Sequence, residues 1–178
     1  PKAHLKVFYG FNKWFDDRYK NDKEKMAWKQ NLLLMMEEDP SITYYGSVGQ
    51  DVLAEHIASS GVWVYPTTFG EISCITAMKM QCGGAIPVTT AYAALNETCK
   101  FGHKIGEYME PVYDKDEFVR TMISVVGNKQ HQEAIRIPMV AECRSTFRWD
   151  GVAKEWNKEF LKCSNQNLSR IMKAKETV

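Results

Sequence analysis

The sequence lacks the features that identify nucleic-acid-binding, membrane and secreted proteins. Of its 178 residues, 23 are lysine or arginine and 22 are aspartate or glutamate, which gives a net charge of only +1. This balance provides no electrostatic signature for nucleic acid or an anionic membrane. No apolar run is long enough to cross a bilayer, and the first ten residues do not form a signal peptide. We therefore expect no nucleic-acid partner and no transmembrane segment.

Metal-binding and redox motifs are also missing. The five cysteines form no C-x-x-C pair and leave an odd one over, which favours reduced thiols and a cytoplasmic location. The four histidines are scattered without an H-E-x-x-H motif. Asp16 and Asp17 are adjacent, whereas metal-dependent transferases space their acids as D-x-D, so a solvated loop is the better interpretation. We expect no metal and no cofactor.

Common phosphate-binding loops are absent as well, since neither G-x-G-x-x-G nor a P-loop occurs anywhere in the chain. A doubly wound domain usually carries such a turn after its first strand, whereas this chain opens almost directly on the run LKVFY. Either the fold lacks this turn, or the chain is cut from a longer protein.

What is present is the composition and alternation of a globular α/β domain. Apolar residues make up 44% and charged residues 25%, and the length suits one domain with a real core. Short β-branched and aromatic runs predict four strands, at LKVFY, SITYYGSV, GVWVYPTT and AIPVTT. Helical segments separate them, which predicts a doubly wound parallel sheet with VWVYPT as a central buried strand. FNKWFDDRYKND reads as a loop, KEKMAWKQNLLLMMEED as a helix, and three further helices follow residue 115.

One carboxylate stands where a strand gives way to a helix. Glu71 lies in TTFGEISCITAMKMQCGG, after the strand VWVYPTT and before a helix expected to start near Ile72 and Ser73. The first amides of such a helix form an anion site that suits a pyrophosphate. A carboxylate beside them would repel phosphate but accept hydrogen bonds from sugar hydroxyls. This combination suits a ligand that is part phosphate and part polyol, although a simple acidic helix cap is an alternative.

Residues 42–97 resemble the donor-binding domain of a known enzyme family. The segments that carry the resemblance are YYGSV, VLAEHIASS, VWVYPTTFGE, ISCITAMKMQCGG, AIPV and AALNE. In this order they are similar to the C-terminal domain of GT-B-fold glycosyltransferases of the family 4 (group 1) type. LKVFYG and FRWDGVAKEWNKEF match the family's flanking strand and closing helix more loosely.

The resemblance implies a Rossmann-like α/β domain, the C-terminal half of a GT-B fold, with C-terminal helices. Residues 1–145 would form the nucleotide-sugar-binding domain, truncated at its N-terminus, and residues 146–178 a closing helix and tail. The implied enzyme is a retaining, metal-independent glycosyltransferase that moves a sugar from a nucleotide diphosphate sugar to a saccharide or lipid-linked acceptor. Because the acceptor-binding domain and the Arg/Lys clamp on the diphosphate would be missing, the isolated fragment is expected to be inactive. Whether the full-length enzyme is peripheral at a membrane stays open.

The family's site residues carry over to a set of positions around the predicted strand ends. Glu71 would be the catalytic residue near the donor sugar. The donor- and nucleotide-binding positions would be Ser47, Val48, Gly49, Thr68, Gly70, Ile72, Ser73, Cys74, Ile75, Lys79 and Glu97. Ile72 to Ile75 would act through their backbone N–H groups.

Two departures from the family pattern affect this expectation. The second glutamate of the family's E-x7-E motif is Lys79 here, and the glycine pair of its G-G-x-x-E element is Ala93–Ala94. Lysine can donate to a ribose oxygen but cannot accept a hydrogen bond from a hydroxyl. Lys79 could therefore contact phosphate, occupy a degenerate ribose site, or be solvated surface. The alternative function is a degenerate, non-catalytic nucleotide-sugar-binding or doubly wound interaction module.

Two further features have both a functional and a structural interpretation. Cys74 at a helix start could be a stabilised thiolate, but no partnered base is identifiable, so a nucleophilic role is disfavoured. Trp149 and Trp156 are spaced as one helical stripe, which predicts that they pack the closing helix against the domain.

Overall fold

A computed structural model describes the backbone of residues 2–175 and the side chains of residues 2–166. The strands are β1 (Leu5–Val7), β2 (Ile42–Tyr44), β3 (Val62–Tyr65), β4 (Ile86–Thr90) and β5 (His103–Ile105). The helices are α1 (Lys13–Tyr19), α2 (Lys23–Glu38), α3 (Gln50–Ala58), α4 (Ile75–Gly83), α5 (Leu95–Thr98), α6 (Lys115–Gly127), α7 (Lys129–Thr146) and α8 (Trp149–Lys175). The protein is therefore α/β, as predicted.

The strands form two small parallel sheets. β1 pairs with β2, with Leu5 opposite Ile42, and the second sheet has the order β3-β4-β5. All strand pairs are parallel, as the alternation of strands and helices predicts. This arrangement is compatible with a Rossmann-like fold, although the described residues do not form one continuous sheet.

The central strand differs from the prediction. VWVYPT was expected to be central and buried, but β3 lies at an edge and its four residues are only partly buried. The buried central strand is β4, in which all five residues are buried. The prediction was wrong because the apolar composition of a strand indicates that its two faces are buried, but it does not show which strands pair with it on either side.

The sequence did not predict three elements, α1, α5 and β5. The segment predicted as a loop contains α1, which begins after Asn12, whose side chain accepts a hydrogen bond from the backbone N–H of Phe15. Phe15 is buried and stacks at tilted or edge angles on Phe11, Tyr19 and Trp28. β5 was missed because His103–Ile105 offers only three residues with a lysine in the middle.

Helices cover both faces of the three-stranded sheet. On one face, Ile86 and Val88 of β4 pack with Phe118 of α6 and Met139 of α7 in the largest buried cluster. On the other face, Trp63 and Tyr65 of β3 pack against Cys74, Ala77, Leu95 and Cys99 around α4 and α5. The three helices expected after residue 115 are confirmed as α6, α7 and α8.

Helix α8 does not pack as expected. Trp149 and Trp156 are 83% and 61% exposed, so they do not form a stripe buried against the domain. Trp156 instead makes an edge contact with Phe160 on the same helix, with ring centroids 5.5 Å apart. The i, i+7 spacing correctly identifies one face of a helix but does not determine whether a partner covers it.

No helix in the part of the chain that the structure describes is long and apolar enough to span a membrane.

A pair of histidines joins β5 to α7 and predicts a pH-dependent stability. The Nε2 atoms of His103 and His131 lie 3.0 Å apart, so in the neutral pair one ring donates a hydrogen bond and the other accepts it. Burial, followed by the charge of His131, lowers the pKa of His103 below its usual value of 6.5. The folded state therefore takes up a proton less readily than the unfolded state.

We expect the free energy of unfolding to be fully maintained above a pH of about 6.5 and to fall as the pH decreases through the lowered pKa of His103. Urea unfolding between about pH 7 and pH 5 measures this. His103→Phe should flatten the profile, whereas His4→Phe, which removes an exposed histidine, should leave its slope nearly unchanged. A slope that survives in His103→Phe would assign the effect to other groups.

Candidate functional site

The predicted site residues follow the carboxyl ends of three strands. Ser47, Val48 and Gly49 come after β2, residues 68–75 follow β3, and Glu97 lies on α5 after β4. Because β3 and β4 are parallel, their carboxyl ends share one edge of the sheet. In open parallel sheets this edge is where ligands bind.

Glu71 lies in a loop that is tied to the neighbouring strand end. Its carboxylate Oε1 accepts a hydrogen bond of 2.9 Å from the hydroxyl of Tyr65, the last residue of β3. Its backbone carbonyl accepts a hydrogen bond of 3.1 Å from the N–H of Ala94. The hydroxyl of Thr90 donates to the carbonyl of Thr67 at 2.8 Å, so the loop is held at both ends. Glu71 is partly buried.

Tyr65 is a site residue that the sequence did not reveal. Burial, then its hydrogen bond to Glu71, raises the pKa of the Tyr65 hydroxyl to about 12. The hydroxyl therefore stays protonated at neutral pH and acts as a donor that orients the carboxylate. The sequence predicts Tyr65 only as part of a strand. Its hydrogen bond with Glu71 depends on how the loop after β3 folds, which the sequence pattern does not show.

Helix α4 begins later than predicted. Its first residue is Ile75 and its N-cap is Cys74, so the first-turn amides belong to Ile75, Thr76 and Ala77. Ile72 and Ser73 lie in the exposed loop before the helix, and Ile72 is 97% exposed. The prediction that the helix starts near Ile72 was wrong, because residues 70–74 form an irregular loop before the first turn. Ile72, Ser73 and the N-cap Cys74 therefore separate Glu71 from α4.

Cys74 is a buried thiol between this loop and the core. It is 4% exposed and packs with Ala77, Leu95 and Cys99. Burial raises the pKa of the Cys74 thiol, and the backbone N–H of Ala77 only partly opposes this effect. A raised pKa suppresses the thiolate, which agrees with a packing role and not with a nucleophile. All five cysteines are free thiols.

Lys79 connects α4 to the start of α3. Its ammonium donates a hydrogen bond of 2.6 Å to Oε1 of Gln50, the first residue of α3. The N-cap of α3 is Gly49, which has no side chain that could accept a hydrogen bond from the first-turn amides of the helix. The structure thus brings the β2 end and the α4 surface together through Lys79 and Gln50. Lys79 is exposed, which leaves all three interpretations of its role open.

Glu97 belongs to the short helix α5, which a buried side chain anchors. Oε1 of Glu97 accepts a weak hydrogen bond of 3.5 Å from the hydroxyl of Tyr108. Behind it, Nε2 of Gln81 donates to the carbonyls of Ala77 and Thr98 at 2.9 and 2.8 Å. Gln81 is fully buried and links α4 to α5. This anchor fixes the position of α5, which carries Glu97.

The turn that leads into α5 has an unusual backbone conformation. Ala93 has a φ of 51°, the left-handed region in which glycine is favoured, and its N–H donates to the carbonyl of Tyr108 at 2.8 Å. This is the first position of the alanine pair that replaces the glycine pair of the resembled family. A conformation that suits glycine is therefore retained here although the residue is alanine.

The candidate site residues belong to no metal-binding cluster, and one surface depression of the protein is lined by other residues. Among the described residues, no group of three or more His, Cys, Asp or Glu side chains could hold a metal ion. A surface depression of about 550 Å³ lies at the end of α2, lined by Asn31, Leu34, Met35, Glu38, Asp39 and Pro40.

Comparison with known proteins does not assign a family. No protein-family model matches the chain, and no curated protein matches it at a significant level.

Proposed function

We propose that this chain binds the donor of a retaining glycosyl transfer, a nucleotide diphosphate sugar, at the carboxyl edge of β3 and β4. The observation that carries the proposal is Glu71, a carboxylate that Tyr65 orients in the loop leading from β3 to α4. A carboxylate in a loop that leads to a helix N-terminus offers acceptors for sugar hydroxyls and the positive end of a helix dipole for phosphate. The resemblance to the donor-binding half of a GT-B fold supports the same assignment.

Each part of the ligand would meet a different part of the site. The N-terminus of α4 would face the diphosphate, where the helix dipole favours negative charge. Glu71 would accept hydrogen bonds from the sugar. Such a site promotes transfer by positioning the sugar and by stabilising the departing diphosphate, with no protein nucleophile and no metal ion required.

A second candidate function is binding without transfer. The observation that favours it is the engagement of Lys79 with Gln50, since this position in the resembled family carries a glutamate that grips ribose. Because Lys79 donates its hydrogen bond to Gln50, the ribose hydroxyls would have no carboxylate acceptor at position 79. In that case the chain would be a degenerate nucleotide-sugar-binding module.

The Lys79→Glu variant tests both functions. If Lys79 contacts phosphate, the substitution should weaken binding of nucleoside diphosphates by about ten- to a hundredfold, the worth of one charge-assisted hydrogen bond, and leave free nucleosides nearly unaffected. If Lys79 occupies a degenerate ribose site, the same substitution should strengthen binding of both ligands. NMR shift titrations with uridine, guanosine and adenosine and their diphosphates distinguish these results.

The matched control is Lys158→Glu, which makes the same charge change on α8, where Lys158 pairs with Glu155. It should leave all titrations unchanged. An unchanged affinity in Lys79→Glu would place Lys79 on the solvated surface. Absence of binding to every nucleotide and nucleotide sugar by the unsubstituted chain would contradict the proposal itself.

A further inference from the structure

Two of the four histidines, which are scattered along the sequence, meet in the folded chain. His103 is the first residue of β5, and His131 lies in the first turn of α7. Their Nε2 atoms lie 3.0 Å apart. The other two histidines have different contacts, since His4 bonds to Thr43 and His56 packs on aromatic rings. The fold therefore creates a pair of nitrogen ligands that no sequence motif reveals.

Both histidines stand on elements that the fold holds in place. His103 is paired with Val88 of the buried strand β4. Next to His131, the side-chain amide of Gln132 donates to the carbonyl of Val125 at 2.8 Å and ties the start of α7 to α6. Ligands on paired strands and packed helices keep their separation better than ligands on loops.

The separation of the two nitrogens suits one metal ion. Histidine nitrogens bind Zn²⁺ at about 2.0–2.1 Å, and octahedral to tetrahedral angles place two such nitrogens about 2.8–3.4 Å apart. The observed 3.0 Å lies within this range. The rings meet end to end, with centroids 5.3 Å apart and planes inclined by 46°, so a tilt of both rings is needed to bring their lone pairs onto one ion.

Both rings offer a neutral nitrogen at neutral pH. Burial, followed by the charge of His131, lowers the pKa of His103, so this ring stays in the unprotonated form that binds metals. In the hydrogen-bonded pair, one Nε2 carries the shared proton. When an ion binds, that proton moves to Nδ1 of the same ring by exchange with water, which frees both Nε2 lone pairs and releases no net proton. Both residues are partly exposed, so water and ions can reach them.

We propose that His103 and His131 form a two-histidine site for Zn²⁺, which ties the strand β5 to the helix α7. Imidazole is a preferred ligand of zinc, and water fills the remaining positions because no group of three or more ligating side chains occurs among the described residues. The dipole at the start of α7 disfavours a cation, so we expect weaker binding than at a three-ligand site. The site is separate from the proposed donor site and does not depend on it.

An NMR titration of the chain with Zn²⁺ tests the site. Every sample carries Cys163→Ser, because the exposed thiol of Cys163 is a competing zinc ligand. The ring C–H signals of His103 and His131 should shift or broaden together with a single Kd. The signals of His4 and His56 should stay unchanged.

Thermal unfolding shows whether the ion joins the two elements. With Zn²⁺ at about a hundredfold above its Kd, linkage should raise the Tm by about 5–10 °C for a chain of this length. His103→Phe and His131→Phe should each abolish this rise. Each variant is compared with and without zinc, so a loss of stability from the substitution itself does not affect the result. His4→Phe is the matched control and should keep the full rise.

Each outcome supports or overturns the proposal. Joint shifts of both rings, with loss of the Tm rise in both phenylalanine variants, support it. If neither ring shifts, the pair is limited to its hydrogen bond and the proposal is wrong. A rise abolished by only one of the two substitutions would indicate a single-histidine site, and a rise kept by all variants would place zinc on other groups. Either result would overturn the two-histidine site.

Discussion

Gly102→Ala is expected to remove a large part of the stability of this domain. Gly102 has a φ of +88°, and a Cβ added there would lie 2.2 Å from the carbonyl oxygen of Pro87. Pro87 belongs to the buried central strand β4, so the contact is with backbone that cannot move aside. The left-handed conformation costs about 1–2 kcal/mol for a residue with a Cβ. Overpacking adds about 1–3 kcal/mol, so we expect a loss of about 2–5 kcal/mol.

Urea unfolding followed by tryptophan fluorescence measures this loss. The matched control is Gly151→Ala on α8, where nothing lies within 4 Å of an added Cβ. Because alanine is the better helix former, the control should gain up to about 1 kcal/mol. A change of less than about 0.5 kcal/mol in Gly102→Ala would show that β4 and β5 are not packed as described. Gly102 directly precedes His103, whose pairing with Val88 holds β5 in the sheet.

Local patterns in the sequence were sufficient to predict most of the individual elements. β-branched runs predicted β1 to β4, and apolar periodicity predicted α2, α6 and α7. Helix α1 was not predicted because its apolar residues are few and aromatic, and Phe15 is buried through contacts with Phe11 and with Trp28 of α2. A contact between two segments is not visible in the composition of either one.

The sequence was less informative about how the elements are assembled. Strand order depends on pairing between distant residues, so the edge position of β3 could not be inferred from VWVY alone. The stripe of Trp149 and Trp156 indicates a helical face, but burial needs a partner surface whose position depends on the whole fold. The same limit applies to the candidate site, where the position of Glu71 was predictable and its bond to Tyr65 was not.

Glu71→Gln is expected to separate recognition of the sugar from recognition of the nucleotide. Glutamine keeps a carbonyl oxygen that can accept from Tyr65 but removes the negative charge offered to the sugar hydroxyls. A hydrogen bond to a charged group contributes about 1.5–3 kcal/mol. We therefore expect affinity for a nucleotide diphosphate hexose to fall by about ten- to a hundredfold, while affinity for the nucleoside diphosphate stays nearly constant.

Tyr65→Phe provides the matched control for this prediction, because it removes the orienting hydroxyl and leaves the carboxylate in place. It should reduce affinity for the sugar nucleotide less than Glu71→Gln does, since the charge remains but is less well positioned. Shift titrations with UDP-, GDP- and ADP-linked hexoses and the corresponding diphosphates measure both variants. Equal losses for the sugar nucleotide and the diphosphate would mean that Glu71 acts through the loop and α4. Unchanged affinity for both ligands would limit Glu71 to its structural hydrogen bond with Tyr65, and the sugar would have to be bound elsewhere.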